Sequence, residues 1–400
     1  MMIRRKRRPF PLMISSAIVL SLILGGCSDG NEIQSVESNA VMFRADASHS
    51  GSFEAIAELK GVPSWTFRTK SAIYGSPIAR NNIVYFGNEH GEMYAIDGAT
   101  ETEKWKFQAK AGIRTTPALW NKLLFFADDS GVVYALHSET GVLKWQFNLE
   151  YDDRNIDKWD YYRSSPVIYD DTVYIGNGGG TFYALKAGSG EKRWEFKTDK
   201  EGAAIRTTAA VHEDTLYFGD WRGYVYALSA KNGTKKWSVS LGGPMIISPL
   251  VFENMLYVGG RNAAVMALNT ETGKTVWSKV DPKGSWMPSS PAIDAQSKTI
   301  YFGSSDALTL SALDSVTGEQ RWQYKHKTHL FSSPAIAGGV VYIASGYAYN
   351  SEREESLLAF DSQFGKLLWS APIGRSFSSP FVDGNKIYIT DLNGTLHAFQ

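Results

Sequence analysis

The sequence has a single cysteine, Cys27, in 400 residues. No disulfide can form within a chain that has one thiol, so packing and hydrogen bonds must stabilise the fold. An excess of charge of one sign is also lacking, because 41 basic residues balance 41 acidic ones. Such a chain has no general attraction for nucleic acid, and we expect no nucleic-acid partner.

Motifs of common catalytic and metal sites are missing as well. The sequence has no P-loop and no Cys/His pair, and its seven histidines lack the spacing of metal ligands. Residues 153–157, DRNID, have the alternating spacing of a calcium loop, but Lys158 stands where that loop needs glycine. Asp128 and Asp129 are interpreted as solvated loop charge. The sequence therefore predicts no catalytic residues and no metal.

The apolar run Leu12–Leu24 is too short for an ordinary membrane span. It follows a basic stretch, Arg4–Arg8, and ends in Leu-Gly-Gly-Cys at residues 24–27, which resembles the bacterial lipobox with its acylated cysteine. We expect residues 1–26 to be a lipoprotein signal peptide and 27–40 a polar tether lipidated at Cys27. An ordinary cleaved signal and twin-arginine export are the alternatives. Cleavage would leave 36 basic against 41 acidic residues, a net charge of about −5.

Repetition organises the remaining residues, 41–400. Tryptophans recur about every 43 residues, and in seven of eight copies glycine stands four positions earlier. The repeated tryptophans are Trp65, Trp105, Trp145, Trp194, Trp237, Trp277, Trp322 and Trp369. Short runs such as TVYIG and KIYIT alternate between apolar and polar residues and are bounded by turn residues, which indicates strands.

Four strands in a period near 40 residues predict the blades of a β-propeller. We name the strands A to D, where A begins after a proline and lies at the central channel and D carries the tryptophan. The repeat starts with a lone D strand at 64–69 and stops after a C strand at 394–399. The sequence therefore predicts an all-β, eight-bladed propeller over 41–400 whose last blade is completed by the N-terminal strand. Each tryptophan is predicted to pack between neighbouring blades.

The phrase A-x-D/N-x-x-T-G-x-x-x-W, as in ALDSVTGEQRW at 312–322, resembles the docking motif of the quinoprotein (PQQ-type) propeller superfamily. One branch comprises dehydrogenases that bind pyrroloquinoline quinone and calcium on the axis, usually above a pair of adjacent cysteines. This chain lacks that pair, so we expect no cofactor and no enzyme activity. An exported ligand-sensing or carbohydrate-binding propeller remains an alternative, since MFRADASHSG at 42–51 is similar to the lead-in of such proteins.

A second branch is the BamB family of outer-membrane lipoproteins that assist β-barrel assembly. The resemblance covers the lipobox, the length, the eight repeats and the closing DGNKIYITDLNGTLHAF. It implies a protein partner in the barrel-assembly machinery, a lipid anchor and a place on the periplasmic side of the outer membrane. In that family a loop after the third repeat docks on the partner. TDKEGAAIRTTAA at 198–210 corresponds to it, which implies contact residues at Ile205 and Arg206.

The irregular loops are predicted to lie on the face formed by the D–A and B–C connections, because the other turns are short and uniform. Three residues before the proline position, successive repeats carry Arg114, Arg163 and Arg206. Arginine and large aromatic residues dominate interface hot spots, so we predict a partner-binding face. Its other members are Ile205, Trp159, Tyr161, Trp221, Arg222 and Trp286. The alternative is that the three arginines only pair with nearby acidic residues.

Overall fold

The computed structural model describes residues 40–54, 59–150, 163–199, 203–260, 264–280, 289–346 and 355–400. Strands are numbered in chain order. The A strands, which lie nearest the axis, are β4 (Ile78–Arg80), β8 (Ala118–Trp120), β12 (Val167–Tyr169), β16 (Ala210–His212), β20 (Leu250–Phe252), β24 (Ala292–Asp294), β28 (Ala335–Ala337) and β32 (Phe381–Asp383). The B strands are β5 (Ile83–Gly87), β9 (Leu123–Ala127), β13 (Thr172–Gly176), β17 (Thr215–Gly219), β21 (Met255–Gly259), β25 (Thr299–Ser304), β29 (Val340–Ala344) and β33 (Lys386–Thr390).

The C strands are β6 (Glu92–Asp97), β10 (Val132–His137), β14 (Thr181–Lys186), β18 (Tyr224–Ser229), β22 (Ala264–Asn269), β26 (Thr309–Asp314), β30 (Ser356–Asp361) and β34 (Thr395–Phe399). The D strands are β7 (Thr102–Gln108), β11 (Leu143–Asn148), β15 (Lys192–Lys197), β19 (Lys235–Ser240), β23 (Thr275–Val280), β27 (Gln320–Lys325), β31 (Leu367–Pro372) and β3 (Pro63–Arg68). The predicted eight-bladed propeller of four-stranded antiparallel blades is confirmed. The predicted closure is confirmed too, because β3 pairs with β34 and completes the eighth blade.

The repeated tryptophan and glycine meet across the boundary between blades. Each tryptophan lies opposite the alanine of the neighbouring C strand, as Trp277 does with Ala267. The glycine of the next blade's C–D turn then lies on the indole. At Gly318, which has a φ of +73°, an added Cβ would lie 2.7 Å from Cδ2 of Trp277. The motif therefore specifies inter-blade packing: a positive-φ turn residue without a side chain faces a large aromatic ring.

A hydrogen bond accompanies this packing at seven boundaries. The indole Nε1 donates to a backbone carbonyl of the following C–D turn at 2.8–3.0 Å. The eighth boundary, between the last blade and the first, differs. There Lys386 Nζ donates to the Gly98 carbonyl at 2.9 Å, and Trp65 Nε1 has no hydrogen-bond partner among the described residues. It is also the boundary where Glu101 replaces the repeated glycine.

A ring of hydroxyl groups joins all eight blades at the axis. The backbone N–H of the residue before each A strand's proline position donates to the hydroxyl of the equivalent residue in the next blade, at 2.9–3.3 Å. We call this ring the hydroxyl girdle, and its members are Ser76, Thr116, Ser165, Thr208, Ser248, Ser290, Ser333 and Ser379. The girdle gives the inner ends of the A strands partners that no ladder supplies.

Residues 42–51, which we call the strap, cross the channel on the A–B side of the girdle. Their carbonyls accept hydrogen bonds from the A strands of blades four to seven, at Val211, Val251, Ile293 and Ile336. Strands β1 (Ala40–Val41) and β2 (Ser52–Phe53) flank the strap and add to blades two and seven. The sequence motif MFRADASHSG thus has a structural role that its resemblance did not predict.

Two buried polar side chains hold the strap in the channel. The Arg44 guanidinium donates to the carbonyls of Pro334, at 2.7 Å, and Pro291. Burial lowers the pKa of Arg44 to about 9, against the opposing charge of Asp46. His49 Nδ1 lies 2.9 Å from the Pro249 carbonyl, and burial lowers the pKa of His49 to about 3. The imidazole is therefore neutral in the folded protein at neutral pH.

We predict that the glycine motif stabilises the ring beyond its backbone preference. Gly318→Ala introduces both a positive-φ strain and an overlap with Trp277. Gly242→Ala introduces the strain alone, because Gly242 has a φ of +80° and nothing lies within 4 Å of its added Cβ. We expect Gly318→Ala to lower the free energy of unfolding by about 1–3 kcal/mol more than Gly242→Ala, as measured by urea denaturation. Equal losses would show that the packing on tryptophan contributes nothing.

We also predict that His49 makes the protein sensitive to acid. The unfolded state binds a proton near pH 6.5 and the folded state only near pH 3, so stability is lost as the pH falls through that window, by about 1.4 kcal/mol per unit. Burial raises the pKa of Asp46, which opposes the loss at the acid end. Asparagine tolerates the φ of 61° at this position and keeps a donor, so His49→Asn should flatten the pH dependence of the melting temperature between 6.5 and 4.

The control for this measurement is His212→Asn, on β16, where the side chain is only partly buried. It should keep the wild-type pH dependence. A His49→Asn protein that loses stability with acid as steeply as the wild type would contradict the assignment.

Candidate functional site

The D–A and B–C loops meet on one face of the ring, which we call the mouth face. Backbone N–H groups of the B–C turns donate to carbonyls of the D–A loops, as Asp129 does to Gly112 at 2.7 Å and Trp221 to Ala204 at 2.9 Å. These bonds fix each B–C turn beside the residues that enter the next A strand. Side chains from both loop sets are therefore held at the channel entrance.

The predicted arginines come together there. Arg114, Arg163 and Arg206 line a single cavity at the axis, whose floor includes Phe43 of the strap. All eight residues of the hydroxyl girdle line the same cavity. Its volume is about 50 Å³, which is room for about four water molecules. The mouth thus ends in a small, strongly polar cavity.

Two of the three arginines form ion pairs with acidic residues of the B–C turns. Arg114 contacts Glu89 at 2.9 Å and Asp129 at 3.1 Å, and Arg163 contacts Asp129 at 3.3 Å. Burial disfavours the charged form of Arg114, but both acidic neighbours outweigh it and raise its pKa. Burial raises the pKa of Asp129, against the charges of both arginines. Arg114 and Arg163 therefore pair with acidic residues of the B–C turns, as the alternative interpretation expects.

Arg206 has a different setting. Glu89 and Asp129 occupy equivalent places in the B–C turns of blades one and two, and the equivalent residue in blade three is Gly178. The side chain of Arg206 is buried, and it also lines a second cavity between the blades, together with Arg163 and Gly178. The acid that pairs with the other two arginines thus has no counterpart at this position of the B–C turn.

Aromatic side chains form the opposite part of the rim. The rings of Tyr74 and Phe377 stack with centroids 6.2 Å apart and planes 10° from parallel. Phe331 packs edge-on against Phe377 at 5.4 Å. The Arg114 guanidinium lies over the Tyr74 ring, 4.9 Å from its centroid. The rim therefore changes from cationic on blades two to four to aromatic on blades seven, eight and one.

The other predicted contact residues have varied positions. Trp221 and Arg222 lie in the B–C turn of blade four on the mouth face, where Arg222 is exposed and Trp221 partly buried. Ile205 is 1% exposed and packs on Gly176, so its side chain belongs to the core and cannot reach a partner in this structure. Four predicted residues lie outside the described residues: Cys27, Trp159, Tyr161 and Trp286.

The interpretation of Asp128 and Asp129 as solvated loop charge is wrong. Asp128 is buried and accepts hydrogen bonds from the backbone N–H groups of Ser130 and Val132 and from the Tyr134 hydroxyl. It therefore orders the B–C turn, and the neighbouring Asp129 is held against the arginines. Within the turn, the carboxylate of Asp128 points inward and that of Asp129 points to the mouth. A count of acidic residues does not show this difference.

The described part of the chain contains no group of three or more His, Cys, Asp or Glu side chains able to hold a metal ion. The possible calcium loop at 153–157 lies outside the described residues. In the described ranges no helix has the length and apolar character needed to cross a membrane.

Comparison with known proteins identifies a family whose match covers the whole set of repeats. The family described as outer membrane protein assembly factor BamB matches residues 49–205 and 181–400. The chain belongs to the BamB family. The match runs through all eight blades, so it rests on the whole ring and on no single motif.

Individual members of the family are distant from this chain. BamB of Salmonella typhimurium is 30% identical over 99 residues, which is 23% of this chain and 25% of that protein. BamB of Yersinia pestis is 25% identical over 179 residues, 40% of this chain and 42% of that protein. The alignments thus span less than half the length of these relatives.

Solved structures share the fold at low identity. BamB from Moraxella catarrhalis superposes with a TM-score of 0.66 at 20% identity and covers 85% of this chain and 99% of that one. Quinohemoprotein alcohol dehydrogenase from Comamonas testosteroni gives a TM-score of 0.71 at 15% identity, with 90% and 80% covered. Likeness at these identities establishes the propeller and carries no function.

Sequence reasoning missed three parts of the site: the girdle, the strap and the acidic partners of the arginines. The girdle had a signal, since a serine or threonine precedes the proline position in every repeat. The acidic partners also had one, because Glu89 and Asp129 stand at equivalent places in successive B–C turns. No such signal existed for the strap, because it occurs once in the sequence and contacts four different blades.

Proposed function

We propose that this protein is a non-catalytic scaffold of the bacterial envelope that binds a protein partner through its mouth face. The partner is a component of the machinery that assembles β-barrel proteins of the outer membrane. A lipid on Cys27 holds the chain at the periplasmic side of that membrane, with residues 27–40 as the tether. Membership of the BamB family over residues 49–400 is the observation that carries the proposal.

The geometry of the mouth face supports a binding role. Loops of different lengths, arginines and aromatic side chains are concentrated there on a ring whose other turns are uniform. Arg222 and Trp221 project from a turn that is fixed by hydrogen bonds to the D–A loop. A partner can therefore dock on preorganised side chains, which reduces the entropy lost on binding.

The channel gives no support to a quinone-dependent dehydrogenase. The axial cavity has room for about four water molecules, and a three-ring quinone with its carboxylates needs far more space. The strap occupies the channel below the cavity, with Arg44 and His49 hydrogen-bonded to the carbonyls of prolines that precede the A strands. We therefore expect this channel to hold no such cofactor.

We predict that charge reversal on the mouth face weakens partner binding. Arg222→Glu changes an exposed residue of the blade-four B–C turn, and Lys231→Glu makes the equivalent change in the C–D turn of the same blade, on the opposite face. Loss of a hot-spot arginine costs about 2 kcal/mol or more, roughly thirtyfold in affinity. Cross-linked partner recovered from intact envelopes should fall with Arg222→Glu and stay unchanged with Lys231→Glu.

A buried arginine provides a second variant for the same measurement. Arg206→Ala should reduce the recovery of the partner. The loss counts as evidence for the interface only if the variant keeps a melting temperature close to that of the wild type. The opposite pattern, in which Lys231→Glu loses the partner and Arg222→Glu keeps it, would place the interface on the other face and overturn the proposal.

A further inference from the structure

The hydroxyl girdle has donors that the fold does not use. Each girdle hydroxyl accepts a hydrogen bond from the N–H of the preceding blade, and a serine or threonine hydroxyl also carries one O–H donor. None of the hydrogen bonds between described residues uses a girdle hydroxyl as donor. All eight residues line the axial cavity. Eight O–H donors are therefore available around one small volume.

The acceptor role strengthens these donors. A hydroxyl that accepts a hydrogen bond is polarised and becomes a better donor, and the effect is larger where the local dielectric is low. Every girdle hydroxyl is in this state, because the N–H donations run in one sense around the whole ring. Because no described residue accepts a hydrogen bond from these hydroxyls, the acceptor has to be a molecule or ion inside the cavity.

The charge around the cavity favours an anion. Three guanidinium groups, of Arg114, Arg163 and Arg206, line it, and the carboxylates that contact them are Glu89 and Asp129. Glu89 and Asp129 are not among the described residues that line the cavity itself. Guanidinium groups bind carboxylate and phosphate oxygens through charge-assisted hydrogen bonds.

We propose that the axial cavity is a binding site for a small oxyanion, a phosphate or a carboxylate group. The girdle hydroxyls donate to the oxygens of the anion from the side, and the arginines supply the positive charge at the entrance. Phe43 closes the site below, so only one charged group enters. Any larger body attached to it lies over the rim, beside Tyr74 and Phe377.

The site shares its arginines with the mouth face, but its hydroxyl girdle and the test with inorganic phosphate do not depend on the proposed partner. It adds a ligand class that a scaffold does not require. The oxyanion comes either as a free ion or on an acidic side chain presented by a peptide. Both sources share the chemistry, and the measurement below separates them.

Binding is tested on the purified chain with inorganic phosphate, followed by phosphorus NMR line broadening at constant ionic strength set with sodium chloride. We expect broadening that saturates with protein and a dissociation constant at least tenfold higher for Arg163→Gln. The control is Lys110→Gln, which removes one positive charge from an exposed residue in the D–A loop before blade two that does not line the cavity. It should stay within twofold of the wild type.

The girdle is tested by a matched pair at one residue. Thr116→Ser keeps the hydroxyl and should bind phosphate like the wild type, whereas Thr116→Val removes it and should weaken binding. If Thr116→Val fails to fold, the Arg163→Gln result still decides. Addition of a tetraglutamate peptide then shows the source: displacement of phosphate indicates a presented carboxylate, and no displacement indicates a free ion.

Two results would contradict the proposal of an oxyanion site. One is broadening by phosphate that does not saturate. The other is saturable broadening that is equal in the wild type, Arg163→Gln and Lys110→Gln, since binding would then take place elsewhere on the protein.

Discussion

The hydrogen bond from a backbone N–H to the hydroxyl of the next blade fixes how the eight blades meet at the axis. The residue before each proline position lies outside the strand ladder of its blade, so its backbone N–H would otherwise be buried without a partner, at a cost of about 1–3 kcal/mol. A serine or threonine at each of eight equivalent positions prevents this. Because the bonds close into a ring, the position of each blade is linked to those of both neighbours.

The site follows from that ring and from the strap, which breaks the eightfold symmetry of the channel. The girdle makes the wall of the channel, and the tryptophan packing at the outer boundaries keeps the ring closed. The strap then occupies one end of the channel through Arg44 and His49 and leaves the other end as the mouth. Arginines on blades two to four and aromatic side chains on blades seven, eight and one give the two sides of that mouth different chemistry.

Periodicity allowed most of the fold to be predicted, including the blade count, the Trp65 strand that closes the ring and the place of Arg114, Arg163 and Arg206. These features repeat, so comparison of the copies with one another reveals equivalent positions in the fold. The strap and Ile205 could not be predicted in this way. The strap occurs once and bonds to several distant blades, and Ile205 resembles a contact residue by its loop position although it packs on Gly176. The Asp129 pairs depend on which side of a turn a carboxylate faces, and an isolated pair of aspartates does not reveal that.

Family membership and the asymmetry of the two faces lead to one account, in which a rigid ring presents its irregular face to a partner. The most direct measurement is photo-cross-linking in intact envelopes from one residue on each face. Trp221 lies on the mouth face, and Phe364, which is 72% exposed, lies in a C–D turn on the other. A photoreactive phenylalanine at Trp221 should capture a barrel-assembly component, and the same group at Phe364 should not. Capture from Phe364 alone would contradict the account.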